Sequence, residues 1–355
     1  MRRVSIVALP LILVLALALW RAQGPTPRET SAPENEFSAM RARSMLRELL
    51  AEGEPHPVGS PAQAVVRDRI ESRFRELGYE TTVQRRFACN SNAICAMVEN
   101  VFARAPGQGD VVLLAAHYDS VPAGAGASED GMGVATLLEV ARAARNDKLR
   151  NRAAFLVTDG EEAGLLGAEA FAADETLLRD VAVVINVEMR GTQGASNMFE
   201  TSLGNRWLIR HLADALPQPQ ASSLFYTIYK FLPNDTDVTV FKRAGKAAVN
   251  YAAIGGVNWY HTPFDDLAHA STRTLQHHGD HALATLRVLG DADLAARSRT
   301  DATYFDVLQF FLIWWPQEWT LWIAIVSLLG LLVGARQTPP RSMTFGVLAG
   351  FAAIL

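Results

Sequence analysis

The sequence predicts a three-layer α/β/α fold with a largely parallel central sheet, flanked by transmembrane helices. Between residues 38 and 298, apolar runs of strand length alternate with segments of helical periodicity, which is typical of a parallel sheet covered by helices on both faces. At both ends the chain is apolar over lengths that suit a membrane helix. We therefore expect one α/β domain, residues 38–298, between two membrane segments.

Composition excludes several classes of protein. The chain has 355 residues, of which 49% are hydrophobic and 20% are charged, so it is not a disordered or collagen-like chain. Its 33 Lys and Arg residues against 37 Asp and Glu residues give a formal net charge of −4, which argues against a nucleic-acid partner. Two cysteines are too few for a disulfide scaffold or for a metal site built from cysteines alone.

The elements of the domain follow from local patterns. A helix should begin at Pro61 and end before Gly78, because Val66, Ile70 and Phe74 repeat at helical spacing. Other helices are expected at 38–51, 133–144, 164–172, 205–215 and 272–296. Strands are expected at 110–116, 153–158, 181–187 and 247–254. In such sheets ligands bind beyond the carboxyl ends of the strands, so the functional residues should lie there.

The N-terminal segment, residues 1–22, has two interpretations. Two arginines precede an apolar run from Val4 to Trp20, which is just long enough to cross a bilayer. The segment is either an uncleaved anchor or a cleaved signal peptide. The lack of a small-residue cleavage pattern and the interfacial character of Trp20 and Arg21 favour the anchor. Residues 23–37, rich in Pro, Thr and Glu, should form a linker.

The C-terminal apolar region predicts a transmembrane segment at residues 304–335. Gln317 and Glu318 interrupt it, so its core span is expected from Trp319 to Gly334. An aromatic belt on the entry side would consist of Trp314, Trp315, Trp319 and Trp322. A further apolar run at 343–355 is too short to span and predicts the start of another, truncated segment.

The charges beside these segments predict their orientation. Arg2, Arg3, Arg336 and Arg341 should all lie in the cytoplasm, because positive residues prefer that side. The domain between the two segments is then expected on the non-cytoplasmic side, which is periplasmic or extracellular in a bacterium. The protein is predicted to be a multi-pass, or at least two-pass, membrane protein with the lipid bilayer as a partner.

Five side chains of metal-ligand type follow strands of the expected sheet. They are His117, Asp130, Glu162, Glu188 and His261. Imidazoles and carboxylates together suit zinc. Two histidines and three carboxylates are too many for one tetrahedral zinc ion, but they suit two ions if one carboxylate bridges them.

Two zinc ions would support hydrolysis of a peptide bond, because together they polarise the carbonyl and lower the pKa of a shared water. A carboxylate that does not bind metal must then transfer the proton of that water to the leaving amine. The neighbouring residues Glu161 and Glu162 can divide these tasks, since adjacent side chains point in different directions. Tyr260, next to His261, either donates a hydrogen bond to the developing oxyanion or is a packing aromatic at a strand end.

Several segments resemble the co-catalytic zinc aminopeptidases, a family that includes aminopeptidase Y and the bacterial leucyl aminopeptidases. They read HYDS, ASEDGMGVATLLEVARA, DGEEAGLLGAEAF, NVEMRG and YHTPFDD. The segments NVEMRGTQGASNMFET and FLPNDTDVTVFKRAG resemble the membrane-anchored branch typified by the endoplasmic reticulum metallopeptidase. The resemblance covers roughly residues 40–295 and implies the zinc-exopeptidase fold.

The resemblance also implies roles for the residues. One zinc ion would be held by His117, Asp130 and Glu188, and the other by Asp130, Glu162 and His261, with Asp130 bridging. Asp119 would orient His117, and Glu161 would be the general base. Position 188 departs from the pattern, since many soluble members have Asp where this chain has Glu. The longer side chain still allows metal binding, but the family's metal spacing and substrate preference do not carry over to this chain from the resemblance.

Other residues are candidates for substrate contact. Tyr226, Tyr229 and the turn beginning at Asn234 are expected either in the wall of a substrate pocket or in an ordinary surface loop. Arg190 either binds a substrate carboxylate or pairs with a nearby acid.

Cys89 and Cys95 lie six positions apart on the side of the membrane expected to be non-cytoplasmic. They either form a short disulfide loop or remain two unpaired thiols.

The sequence thus predicts a membrane-anchored zinc metallopeptidase, more specifically an aminopeptidase that uses water activated by two zinc ions. Two alternatives stay open: an inactive receptor or scaffold on the same fold, and glutaminyl cyclase or carboxypeptidase-type activity. The expected partners are peptide substrates and the bilayer, with no nucleic acid, and no oligomeric state is predicted.

Overall fold

The fold is described from a computed structural model that covers residues 2–51, 53–232, 234–297 and 299–337. The strands in these residues are β1 Glu80–Cys89, β2 Cys95–Arg104, β3 Val111–His117, β4 Arg152–Thr158, β5 Val181–Met189, β6 Asn197–Thr201, β7 Ala247–Ala253, β8 Ala302–Val307 and β9 Phe311–Pro316. The helices are α1 Arg2–Arg21, α2 Ala39–Leu49, α3 Pro61–Glu76, α4 Gly131–Ala144, α5 Leu166–Ala172, α6 Glu175–Leu178, α7 Arg206–Ala213, α8 Ser223–Tyr229, α9 Asp237–Arg243, α10 Thr272–Asp291 and α11 Thr320–Gln337. The apolar run predicted at 343–355 lies outside the described residues.

A seven-stranded sheet with the order β1-β2-β4-β3-β5-β7-β6 forms the centre of the domain. Its four inner strands are parallel, since β3 pairs with β4 and β5, and β5 pairs with β7, all in parallel. β1, β2 and β6 are antiparallel to their neighbours and occupy the two edges. Every residue of β3 and β5 is buried, as expected for strands covered on both faces.

Helices cover the sheet on both faces, which confirms the predicted α/β architecture. On one face Leu137 of α4 and Leu286 of α10 belong to the same buried cluster as Ile185 of β5. On the other face Phe171 of α5 and Phe241 of α9 pack with ring centroids 6.2 Å apart. The parallel strands therefore all present their carboxyl ends at one edge of a closed core.

The antiparallel strands β1, β2 and β6, of which β1 and β6 are the edges, are absent from the sequence-based prediction. β1 leaves most of its side chains exposed or half-buried, and the polar run from Gln84 to Arg86 crosses it. An edge strand of this kind has no apolar run to reveal it, and here antiparallel pairing with a neighbour specifies it instead.

Residues 304–316, predicted as the beginning of a transmembrane segment, form most of the β8–β9 hairpin instead. Tyr304 and Leu312 are buried, whereas Phe305 and Ile313 are 40% and 38% exposed, so the segment has the two-residue alternation of a half-buried strand. Most of its exposed residues are also apolar, which hid this alternation in the sequence. The folded domain therefore extends beyond the predicted boundary at residue 298.

The predicted core span from Trp319 to Gly334 lies mainly on α11. Within the described residues, the segment 317–334 is long and apolar enough to cross a membrane. The described apolar part of α1, Ile12–Arg21, is shorter than a spanning helix. Membrane crossing by α1 stays a prediction.

Three buried histidines on α10 surround Ser196. The backbone N–H of Ser196 donates to Nδ1 of His277 at 3.2 Å. The Ser196 hydroxyl lies 2.9 Å from Nδ1 of His278 and 3.1 Å from Nδ1 of His281. All three imidazoles are at most 1% exposed. None of these three contacts joins an imidazole to a carboxylate. The arrangement therefore suits uncharged imidazole rings.

We expect acid to destabilise the fold through these histidines. Burial lowers the pKa of His277 from 6.5 to about 4 and that of His278 to about 3. The unfolded chain then binds more protons than the folded one between pH 6.5 and 4, so the free energy of unfolding falls as the pH falls through this range. For His277 alone the loss amounts to about 3 kcal/mol.

Chemical denaturation of the detergent-solubilised chain at pH 7.5 and pH 5 measures this effect. The variant His277→Asn should lose less stability between the two pH values than the parent chain does. Parallel losses in the two proteins would show that this histidine does not contribute to acid sensitivity.

Candidate metal centre

The candidate site lies at the carboxyl ends of the inner strands. His117 is the last residue of β3 and pairs in register with Thr158, the last residue of β4. Glu188 lies one residue before the end of β5, paired with Ala252 of β7. Parallel pairing thus brings the loops that follow four strands to one edge of the sheet, as the sequence predicted.

One group of ligand atoms surrounds the imidazole of His117. Its Nε2 lies 3.3 Å from Oε1 of Glu129 and 3.5 Å from Oε1 of Glu188. The three side chains are buried, and each offers a ligand atom within 4.8 Å of the others. This is a compact set of one nitrogen and two oxygen ligands.

A second pair of ligand atoms consists of His261 and Glu162. Nε2 of His261 lies 2.8 Å from Oε1 of Glu162. The angles of this contact are not those of a hydrogen bond, and both atoms are buried without a hydrogen-bond partner. The ring of Tyr260 stacks on His261 at 3.6 Å between centroids. Two close but unbonded ligand atoms are the arrangement expected where both face a cation.

Asp119 connects the two groups. Its two carboxylate oxygens accept hydrogen bonds from the backbone N–H groups of Glu161 at 2.9 Å and of Glu162 at 3.1 Å. One of them also lies 3.4 Å from Nδ1 of His117. Nδ1 of His117 also lies 3.1 Å from the backbone carbonyl oxygen of Asp119, so this residue fixes the start of the loop after β4 with its side chain and the second nitrogen of the imidazole with its backbone.

The structure differs from the sequence-based prediction at Asp130. Asp130 is the N-cap of α4: its Oδ1 accepts from the backbone N–H of Gly133 at 3.0 Å, and its Oδ2 from that of His117 at 3.3 Å. Both oxygens are thus occupied by backbone donors. The neighbouring Glu129, which sequence reasoning missed, supplies the carboxylate beside His117 instead. The preference of Asp for the N-cap position is the sequence signal that separates these two residues.

The site concentrates buried negative charge. Burial raises the pKa of Glu129, and the nearby carboxylate of Glu188 raises it further. Burial alone would lower the pKa of His117, but hydrogen bonds with Asp119, Glu129 and Glu188 raise it well above its usual value. Burial also raises the pKa of Glu161. Carboxylates held this close in a dry site call for a positive charge between them.

A zinc site fits these residues on two grounds. Oε2 of Glu129, Oε1 of Glu162 and Nε2 of His261 are buried and lack hydrogen-bond partners. Buried polar atoms are rarely left in this state, so each is free to bind a ligand. Imidazole nitrogens and carboxylate oxygens are also donors that zinc prefers.

An apolar cavity of about 650 Å³ opens beside the metal group. Glu129, Glu161, Glu188 and Tyr260 form its polar end. Its apolar wall consists of Phe199, Phe225, Ile228, Tyr229, Leu232, Ile254 and Val257. Of the residues predicted to contact substrate, Arg190, Tyr229 and Asn234 line this cavity. Tyr226 does not: its ring lies 4.0 Å from Nζ of Lys230.

A second, polar cavity of about 650 Å³ meets the first at Glu161, Tyr260 and Arg190. The loop from Cys89 to Asn92 forms one of its walls. Cys89 and Cys95 are joined by a disulfide bond across the ends of β1 and β2.

The disulfide loop is attached to the loop that carries the two glutamates after β4. Within it, Nδ2 of Asn90 donates to the carbonyl oxygen of Ala163 at 3.1 Å. Glu161 therefore lies between the apolar and the polar cavity. Its backbone N–H is held by Asp119, and the disulfide loop borders the polar cavity beside it.

Solved structures of similar fold include a zinc aminopeptidase and a glutaminyl cyclase. A zinc aminopeptidase from Bacillus subtilis matches 75% of this chain and 98% of its own, with 17% identity and a TM-score of 0.59. A glutaminyl cyclase from Fimbriiglobus ruber matches 74% of this chain and 99% of its own, with 18% identity and a TM-score of 0.58. At this level of identity the likeness establishes the fold alone.

Sequence comparison identifies the family. Human endoplasmic reticulum metallopeptidase 1 is 27% identical over 367 residues, which cover 95% of this chain and 40% of the human protein. The chain thus spans two fifths or less of the length of such curated relatives. The model of peptidase family M28 matches residues 100–286, a stretch of more than half the chain that includes every metal-ligand candidate described above. The chain therefore belongs to peptidase family M28, a family of zinc metallopeptidases.

Proposed function

We propose that the chain is a zinc-dependent aminopeptidase that hydrolyses the N-terminal peptide bond of its substrates with two metal ions. The observation that carries this proposal is the presence of two sets of buried ligand atoms at one sheet edge, His117–Glu129–Glu188 and Glu162–His261. Three atoms of these sets have no hydrogen-bond partner. Membership in peptidase family M28 supports the same chemistry.

In this proposal Glu129 takes the shared position that the sequence analysis gave to Asp130. Its Oε1 lies beside His117, whereas its Oε2 is buried and free. One ion would be held by His117, Glu129 and Glu188, and the other by Glu129, Glu162 and His261. Asp119 positions His117 and both glutamates of the loop after β4 but binds no metal.

Bound zinc supplies a Lewis acid that polarises the substrate carbonyl and makes a water molecule acidic. Glu161 takes the proton of that water and delivers it to the leaving amine, since it borders both cavities and is not a member of either ligand set. The backbone of Glu161 is fixed by its hydrogen bond to Asp119. Tyr260, at the polar end of both cavities, donates a hydrogen bond to the oxyanion.

The two cavities bind different parts of the substrate. The apolar cavity accepts a large apolar or aromatic side chain of the N-terminal residue, because Phe199, Ile228 and Ile254 form part of its wall. The carboxylates at its polar end hold the free α-amino group. The polar cavity receives the rest of the peptide, along Arg190 and the loop from Cys89 to Asn92.

A peptide digest tests this function. The full chain, loaded with zinc in detergent, is incubated with peptides that differ only in their first residue and with the same peptides acetylated at the N-terminus. We expect release of the first residue, fastest for Phe and Leu and slowest for Asp, and no release from acetylated peptides. Equal cleavage of acetylated peptides, or release of residues from the C-terminus, would contradict an aminopeptidase.

A glutaminyl cyclase with one metal ion is the second candidate. It is favoured by the asymmetry of the site, in which His117, Glu129 and Glu188 form a complete three-ligand group but Glu162 and His261 form only a pair. One zinc ion per chain, with ammonia released from a peptide that begins with Gln, would support this candidate. An inactive receptor or scaffold would show neither reaction.

The protein is proposed to lie in a membrane with its peptidase domain on the non-cytoplasmic side. α11 supplies a helix long enough to cross the bilayer. The disulfide between Cys89 and Cys95 is typical of an oxidising compartment.

A further inference from the structure

The β8–β9 hairpin has one buried face and one exposed apolar face. On the buried face Tyr304 and Leu312 are 1% and 8% exposed. On the other face Phe305, Phe311 and Ile313 are 40%, 52% and 38% exposed. Phe305 and Ile313 are direct partners in the antiparallel register. We call these three residues, with Phe310 of the turn, the hairpin face.

The hairpin face is apolar over its whole length. The acidic residue of β8, Asp306, points its carboxylate at the backbone N–H groups of Ala221 and Gln309, each at 3.0 Å. Phe310 itself is 49% exposed. Within the part of the chain that the structure describes, this is a continuous aromatic surface of the kind that marks an interaction site.

The turn of the hairpin is attached to the end of α1. Nε of Arg21, the last residue of that helix, donates to the carbonyl oxygen of Leu308 at 3.4 Å, and its Nη2 donates to that of Gln309. The guanidinium carbon lies 4.3 Å from the centroid of the Phe310 ring. The C-terminal end of an apolar helix is thus tied to the hairpin turn.

The opposite end of the hairpin is attached to the beginning of α11. The indole N–H of Trp315 donates to Oγ1 of Thr320 at 2.9 Å. The hydroxyl of Thr303, at the start of β8, lies 2.8 Å from the same Thr320 oxygen. Trp319 and Trp322, which lie on either side of Thr320 in the sequence, are 59% and 66% exposed. Both ends of the hairpin are therefore fixed to apolar helices.

These attachments constrain how the hairpin lies relative to a bilayer. Each strand has six residues, a length of about 20 Å. An element of that length, joined at its turn to α1 and at its open end to α11, runs along the membrane surface when both helices enter the membrane. The aromatic residues on its exposed face are those that concentrate at the lipid–water interface.

We propose that the hairpin face lies in the lipid–water interface and is covered by the bilayer surface. The hairpin then serves as a flat support between the two apolar helices, and it holds the domain at a fixed height and orientation. This inference rests on both α1 and α11 entering the membrane and is independent of the reaction proposed for the metal centre.

Spin labelling of the full chain in lipid nanodiscs tests the proposal. Cys89 and Cys95 are consumed in the disulfide, so a single introduced cysteine can be labelled selectively. The probes are Phe311→Cys and, independently, Ile313→Cys. The matched control is Phe87→Cys, an aromatic residue that is 69% exposed on the edge strand β1. Each label is scored by its collision rates with oxygen, which concentrates in lipid, and with a water-soluble nickel chelate.

We expect the ratio of oxygen to nickel-chelate collisions to be severalfold higher at positions 311 and 313 than at 87. A ratio at both probes equal to that at 87 would place the hairpin face in water and overturn the proposal. Labels shielded from both reagents would also overturn it, because they would show that protein, such as a second copy of the chain, covers the face. Two independent probe positions keep the test valid if one substitution disturbs the fold.

Discussion

Glu161→Gln is expected to reduce peptide turnover by about 10²–10⁴-fold, which corresponds to about 3–5 kcal/mol of activation free energy. Gln has nearly the shape of Glu but cannot accept the proton of the attacking water. Zinc content and fold should be unchanged, because Glu161 belongs to neither ligand set and its backbone contact with Asp119 is retained. The Michaelis constant should change less than turnover, since proton transfer matters mainly in the transition state.

The matched control for this variant is Glu162→Gln, the same change at the adjacent residue. Glu162 lies 2.8 Å from the His261 imidazole, so its loss should weaken one zinc site. Elemental analysis and steady-state hydrolysis of aminoacyl chromogenic substrates are measured for both variants. If Glu161→Gln loses zinc and Glu162→Gln keeps it, the two roles are reversed. If neither variant changes hydrolysis, the metallopeptidase mechanism is wrong for this chain.

Glu129→Gln is expected to weaken zinc binding by more than about 100-fold, beyond the effect typical of a residue that only supports a ligand. The amide is a poor metal ligand, and Glu129 is the carboxylate that lies closest to Nε2 of His117, at 3.3 Å. Because the same carboxylate is proposed to contact both ions, its loss should affect both. Competition with a chelator of known zinc affinity measures the effect.

Asp130→Asn is the matched control, because it makes the same change one residue further along the chain. Asn is as good an N-cap as Asp, so α4 should still begin at Gly131. Because Asn has one side-chain oxygen where Asp has two, one of the backbone N–H groups of Gly133 and His117 loses its acceptor, so the free energy of unfolding should fall by about 1–3 kcal/mol. Zinc affinity should fall much less than in Glu129→Gln. Loss of zinc from Asp130→Asn but not from Glu129→Gln would restore the ligand set expected from the sequence alone.

The inner sheet could be predicted because its strands are mostly apolar. β3 and β5 bury every residue, and each appears in the sequence as an apolar run up to its site residue, interrupted only by Asn186 in β5. The ends of these runs then located His117 and Glu188. Such strands carry their own signal, because burial on both faces selects apolar residues at every position.

Glu129 could not be found by the same reasoning. Two acids are adjacent in the loop before α4, and only the helix start separates them: the residue that caps the helix directs both oxygens to backbone donors. The preceding residue is left to face His117. The N-cap preference of Asp separates the two acids only once the first residue of the helix is located, and local composition locates a helix boundary only to within about two residues.

The β8–β9 hairpin was hidden for a different reason. Phe305 and Ile313 are exposed, but they are as apolar as their buried neighbours Tyr304 and Leu312. Where both faces of a strand are apolar, the pattern of alternation disappears, and the segment is indistinguishable from the start of a membrane helix. We infer that the exposed face lies against lipid. Its residues are therefore apolar as well, and the alternation of apolar and polar residues is lost from the sequence.

The disulfide loop links the maturation of the chain to the shape of its substrate groove. Cys89 and Cys95 close a loop with a sequence separation of only six, and the amide of Asn90 inside it holds the carbonyl of Ala163. Before oxidation this wall has more conformations available, since nothing closes the loop covalently. The oxidising compartment is the non-cytoplasmic side proposed for this domain, so we expect the groove beside Glu161 to be completed only after export. A hydrolase that matures in this order acquires its complete substrate groove only in the compartment where it works. It is then separated from the newly made peptides among which it is synthesised.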